Sequence, residues 1–427
     1  MEALELSRRQ VLRQLMHWQL AVQGLANLDQ AASPAAWATL EGYLGVSLRA
    51  NLTQALVQLQ RELEVILAKF RAARDVVDLN QVSHEIIRFR RRYLQTETLI
   101  DFYGDAVNSR TSRDLGSTLR AFDQLAVASM QALLPRLGAP VPPVLTYLDK
   151  GLGASILKAG LRLWDGGTVS AVAAIKVTYH NRRRPTSLLH EVGHQVAHIL
   201  HWNEELAEIM SRGLVGEGPE LAQIWASWAS EIAADCYAFV HCGYAAVAAL
   251  ADVVGGSPAE VFQYFPGDPH PIAYLRVLFG VECCRRMFGR GPWDDLLEIW
   301  QVRYDPAQAP SSVRGLLNAS RVSMPRIVDL SLLAPARAFA NRPLTAWIDP
   351  ERVNPRSLRV LESEAGAKLY SSPHWVKKES VRIVALTGLR LTTEPERFRE
   401  IINQHDQAMA TLGTGDGQWH LEQRLIA

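Results

Sequence analysis

The chain has 427 residues, room for two or three packed units at about 150 residues each. It is 48% hydrophobic and 21% charged, which excludes disorder over its whole length. Its 45 basic and 44 acidic residues leave a net charge of +1, so no overall field draws it to nucleic acid or an acidic membrane.

Of the 45 basic residues only 7 are Lys, which leaves 38 Arg. The four cysteines (Cys236, Cys242, Cys283 and Cys284) show no C-x-x-C spacing and are too few for a disulfide framework. They read as small buried thiols in a reducing compartment. Residues 1–10 mix acids and bases where a signal peptide needs a basic head and an apolar run. The longest apolar stretch, 236–254, carries His241 and Asp252 and reads as a buried helix, with no membrane span. The expected location is cytoplasmic.

From 4 to 134 the pattern is helical. Val11, Leu15, Val22 and Leu25 keep a helical beat, as do Leu52, Leu56, Leu59, Leu63 and Leu67. The R-F-R-R-R run at 88–92 reads as a solvated or salt-bridged helix face in a chain this neutral. Prolines at 140, 142 and 143 stop the helices, and short strands are expected at 144–148 and 169–179.

N-R-R-R-P at 181–185 then turns the chain into a helix starting near Thr186 or Ser187. Within it, L-L-H-E-V-G-H-Q-V-A-H-I-L at 188–200 contains H-E-x-x-H. Positions i and i+4 share one helix face, so His190 and His194 can present two imidazoles to one Zn²⁺. Glu191 lies about 100° round from His190, placed to reach a water rather than the metal. Leu188, Val192, Val196 and Ile199 form the anchoring face. A third His six residues after the second is lacking, because position 200 is Leu, and His198 and His201 read as structural.

A helix over 221–250 supplies the better third ligand. It carries S-E-I-A-A-D at 230–235, which sets Glu231 and Asp235 on one face. Acids among Trp, Ile, Ala and Phe need partners. Glu231 finds one in the metal, and Asp235 finds one in an imidazole N–H of His190 or His194. Glu204, Glu205 and Glu208 lie in a more polar stretch and read as solvated. Seven of the 12 histidines (180, 190, 194, 198, 201, 241 and 270) fall within this same fifth of the chain.

A turn at 304–312 marks the next break; beyond it an extended stretch is expected at 380–386 and a helix at 395–411. These breaks divide the chain into a helical region (1–136), a central domain (144–303) and a C-terminal extension (313–427). The fold class is α+β and predominantly α-helical, with a small α/β C-terminal extension.

H-E-x-x-H followed on a later helix by E-x-x-x-D resembles the gluzincin zinc metallopeptidases. The E-x-x-A-D form, with Asp268-Pro269-His270-Pro271 and Arg276 downstream, is most like the HtpX-like and CAAX prenyl protease group. The resemblance covers residues 170 to 280 and implies a zincin-like core. It also implies one catalytic Zn²⁺ on His190, His194 and Glu231, and a protein or peptide substrate paired with the strand at 169–179. Glu191 would be the general base and His270 would stabilise the transition state, with Tyr237 and Tyr274 as reserve donors. Nucleic acid is not an expected partner. The alternative is a zinc-stabilised interaction protein that binds a protein partner through its N-terminal helices.

Overall fold

Apolar residues three and four apart commit most of this chain to helices. The computed structural model describes residues 2–149, 151, 155–159 and 172–414. It is 78% helix with one three-stranded sheet, a predominantly α-helical α+β architecture. The first three positions of the strand expected at 169–179 lie outside the described residues, as do the last 13 of the C-terminal extension.

The described residues form two compact units, the first built on 2–115 with 159 and 172–174, and the second on 116–149, 151, 155–158 and 175–414. The prolines at 140–143 and the turn at 304–312 both fall within the second unit. The first unit holds α1 (Glu2–Leu25), α2 (Pro34–Leu44), α3 (Leu48–Ala72) and α4 (Val76–Ser109). Its core is the one the helical beat predicts: Val11, Leu15 and Val22 pack with Leu59, Leu63 and Ile66 and with Val82, Ile86 and Phe89. In the R-F-R-R-R run Phe89 is buried, Arg92 pairs with Glu62, and Arg88, Arg90 and Arg91 face solvent.

The second unit opens with α5 (Arg113–Gln131) and the strands β1 (Val144–Asp149), β2 (Ser155–Leu157) and β3 (Ala173–Thr178). Asp123 of α5 accepts from the backbone N–H of Thr146 at 2.7 Å and from its hydroxyl at 2.8 Å, which pins β1 to the helix. The sheet order is β1-β3-β2, so β3 is central and β2 forms an edge. Then follow α6 (Thr186–Ile199), α7 (Trp202–Gly213), α8 (Pro219–Ser227), α9 (Ala229–Cys242), α10 (Tyr244–Val254), α11 (Pro258–Val261), α12 (Ala273–Phe288), α13 (Trp293–Arg303) and α14 (Ser311–Val328).

The single helix expected over 221–250 is thus three, α8 to α10, broken at Trp228 and at Gly243. Gly243 has φ +55°, and a Cβ there would meet Val353 O at 2.9 Å, so glycine both permits and requires the break. The remaining helices are α15 (Pro355–Ala365), α16 (Lys368–Ser371), α17 (Pro373–Thr393) and α18 (Phe398–Gly413).

The small α/β character expected of the C-terminal extension is not found: no strand occurs among its described residues, and 380–386 lies inside α17. The β-branched run there reads as a strand because α17 is buried nearly all round. Ile383 through Arg390 are all buried, which erases the helical period. No helix among the described residues is long and apolar enough to cross a membrane. All four cysteines are buried and free.

Candidate metal centre

The site forms where α6 lies against α9, and Gly193 allows the approach. A Cβ on Gly193 would sit 2.8 Å from Ala234 Cα, closer than packed carbons come. The opposite face of α6 buries Leu188, Val192 and Val196 completely, which fixes the helix in rotation. His190 and His194 are thereby turned toward Glu231 of α9. Their ligand atoms and the Glu231 carboxylate lie within 4.8 Å of one another, a group that can hold a metal ion.

Distances inside the cluster fit such an ion. His190 Nε2 lies 3.4 Å from Glu231 Oε2, and His194 Nε2 lies 3.1 Å from Glu231 Oε1. Ligands at bonds of about 2.0–2.1 Å in a tetrahedral site sit roughly 3.3 Å apart, so these two spacings are compatible with a bound metal ion. The other imidazole nitrogens are engaged elsewhere. His190 Nδ1 is 2.9 Å from Asp235 Oδ1, and His194 Nδ1 is 3.4 Å from Ser230 Oγ. Those contacts leave both Nε2 atoms facing Glu231.

Arg276 of α12 completes the frame. Its Nε donates to Asp235 Oδ2 at 2.6 Å and its Nη2 to Asp235 Oδ1 at 2.8 Å, a bidentate pair. The same Nη2 stands 2.9 Å from Glu231 Oε2. In the sequence Arg276 stands out only as part of the downstream motif, and its bridge from α12 to both acids of α9 is not foreseen there. Its signal was an arginine in an apolar helix within sight of two buried acids that need counter-ions.

The electrostatics follow from burial and pairing. Burial works against the charged form of His190, but bonds to Asp235 and Glu231 outweigh it and push its pKa up to about 10. Glu231 and Asp235 also lose solvation, yet the histidines and Arg276 hold both carboxyls well below the usual range. Glu191 differs. Its pKa is raised by burial, which the nearby histidine charges only partly oppose. It is 7% exposed and makes no hydrogen bond or ion pair with any described residue. It faces the cavity with its acceptor oxygens unengaged.

That cavity, of about 520 Å³, opens on the cluster. It runs from Ser155, Ile156 and Lys158 at the sheet edge past the ligands to an apolar end lined by Val247, Leu250 and Phe279. His270 also lines it, with Nε2 3.7 Å from Glu231 Oε1 and Nδ1 held by Asp268 at 2.7 Å. The structure therefore brings together His190, Glu191, His194, Glu231, Asp235 and His270.

Other candidates fall outside the site. Tyr237 and Tyr274 are buried in the core and do not line the cavity, so they are not reserve donors. Glu205 accepts from the backbone of Arg337 and Ala338, and Glu208 pairs with Arg212. His198 lies beyond the cluster, and His201, with φ 54°, precedes α7. Of the basic turn, Arg183 pairs with Asp406 and Arg184 with Asp252. The strand expected to pair with substrate, at 169–179, cannot do so within β3: it has β1 on one side and β2 on the other. Among the described residues, β2 is the edge strand that lines the cavity.

Comparison with protein-family models, with curated proteins and with solved structures finds no match to this chain.

Proposed function

We propose that the protein is a zinc-dependent metallopeptidase of gluzincin type with a zincin-like core, and that it hydrolyses peptide bonds in a protein or peptide substrate. One observation carries this reading: beside a buried two-histidine, one-glutamate cluster stands a second glutamate, Glu191, with no hydrogen bond or ion pair among the described residues and lining a cavity of about 520 Å³. A closed structural metal site has no use for such a group.

His190, His194 and Glu231 would hold the ion, which when bound supplies Lewis acidity toward a carbonyl and makes water a stronger acid. Glu191 takes a proton from the attacking water as its oxygen bonds to the carbonyl carbon. It then delivers that proton to the nitrogen as the C–N bond breaks. Burial suits it to both roles, because a raised pKa brings the carboxyl nearer working pH. His270, within reach of Glu231 at the cavity wall, donates to the oxygen on which negative charge develops. The substrate backbone pairs with the free edge of β2.

The test is metal content together with turnover. Zinc-loaded protein should contain close to one ion per chain and degrade a generic unfolded protein. Glu191→Gln should keep the ion and lose activity by at least about a hundredfold. Full zinc without turnover in the unaltered protein would instead identify a structural metal site.

A further inference from the structure

Lys158 is the cation in this cavity that the metal centre does not use. It follows β2 directly, and Ile156 lies within that strand. Both line the cavity. The lysine is half-buried, and no hydrogen bond or ion pair with a described residue holds its ammonium group. Arg276, the other cation of the lining, is consumed by Asp235 and Glu231.

The charges of the loaded site make this cation available. Three carboxylates line the cavity: Glu191, Glu231 and Asp235. Arg276 and one divalent ion balance them, so Lys158 leaves the centre with an excess of +1. Burial lowers the lysine's pKa, while Glu191, Glu231 and the exposed Glu204 outside the cavity oppose that shift. A desolvated cation without a counter-ion is costly, and a ligand anion relieves the cost. A substrate strand on the edge of β2 would set its own side chains about 5 Å from those of β2, within reach of a lysine.

On the metallopeptidase reading above, we propose that Lys158 receives a carboxylate of the substrate, so that the enzyme selects peptides carrying an acidic group against β2. The carboxylate can belong to an Asp or Glu side chain or to a peptide C-terminus. Lys158 is then a specificity residue and takes no part in the proton transfers.

The experiment uses zinc-loaded full-length protein and short peptide hydroxamates, which bind the metal whether or not turnover occurs. Four compounds are compared by calorimetry: C-terminal amides carrying Glu, Gln or Lys, and the Gln compound with a free C-terminus. The Glu amide should bind about tenfold more tightly than the Gln amide if a side chain is recognised. If the terminus is recognised, the free-acid Gln compound should lead instead. Lys158→Met should abolish the preference, and Lys158→Glu should shift it to the Lys compound, each with zinc content and melting temperature unchanged.

Equal affinities for all four compounds in the unaltered protein would overturn the proposal, as would a preference that survives Lys158→Glu. Failure of every hydroxamate to bind zinc-loaded protein would overturn the metallopeptidase reading and this proposal with it. That outcome is distinguishable, because binding without charge preference defeats the lysine's role alone.

Discussion

Gly193→Ala tests whether the metal centre depends on the contact between α6 and α9. The added methyl would meet Ala234 Cα at 2.8 Å, Ala234 O at 3.0 Å and Tyr237 Cβ at 3.0 Å. None of these is the end of a flexible side chain, so the helices themselves must part. Restoring an ordinary carbon contact of about 3.5–4.0 Å requires roughly 1 Å of movement. Overpacking of this kind costs about 1–3 kcal/mol, and about 2 kcal/mol lowers the melting temperature of a unit this size by roughly 4–8 °C. Ligand positions tolerate only about 0.2 Å, so zinc affinity should fall at least about tenfold.

The control is Gly315→Ala on the exposed face of α14, where a Cβ meets nothing within 4 Å. That change should stabilise by about 0.5–1 kcal/mol through helix propensity alone. Thermal unfolding and zinc competition against a chelator read both effects. If Gly193→Ala matches Gly315→Ala in melting temperature and keeps full zinc affinity, the close approach of the two helices is not what builds the site.

Three further outcomes are expected. Glu231→Ala should strip most of the zinc, whereas Asp235→Asn should retain the site and lose about 10–100-fold in affinity, measured by chelator competition; equal effects would contradict their separate roles. His270→Ala should lower kcat by roughly 10²–10³ with zinc content and KM little changed, and an unaltered kcat would make the residue structural. Acid should destabilise the zinc-loaded protein as pH falls from 6.5 toward 4, because burial pushes the pKa of His405 down to about 4 and that of His241 to about 3. Above pH 6.5 both are neutral, folded or unfolded. Below it only the unfolded chain takes up the protons, at about 1.4 kcal/mol per pH unit for each histidine. His405→Leu should lower the slope by about 1.4 kcal/mol per pH unit in thermal unfolding followed against pH.

The parts of the site legible in the sequence are those fixed by one helix at a time. Spacing alone puts His190 and His194 on one face of α6 and Glu231 and Asp235 on one face of α9. Amphipathic period likewise foretells the buried faces of α1 and α3. The strand at 169–179 was legible as a strand but not as a central one, since sheet order depends on where β2 docks. Lys158 gave one faint signal, a charged residue closing a short apolar strand in a chain with only 7 Lys.

What the sequence conceals is how the helices are tied to each other. Arg276 stands 41 residues from Asp235 and 86 from His190, and no local pattern links them. Yet the bonds run in one direction: Arg276 orients Asp235, Asp235 takes His190 Nδ1, and His190 Nε2 is left facing Glu231. Each step removes a rotamer that would spoil the cluster, so the side chains are oriented toward one another by the protein's own bonds. Glu191 alone is exempt from this network. A group that must first accept a proton and then surrender it gains nothing from a partner that would stabilise either form. Its isolation beside that bonded cluster is what the proposed role of carboxylate base calls for.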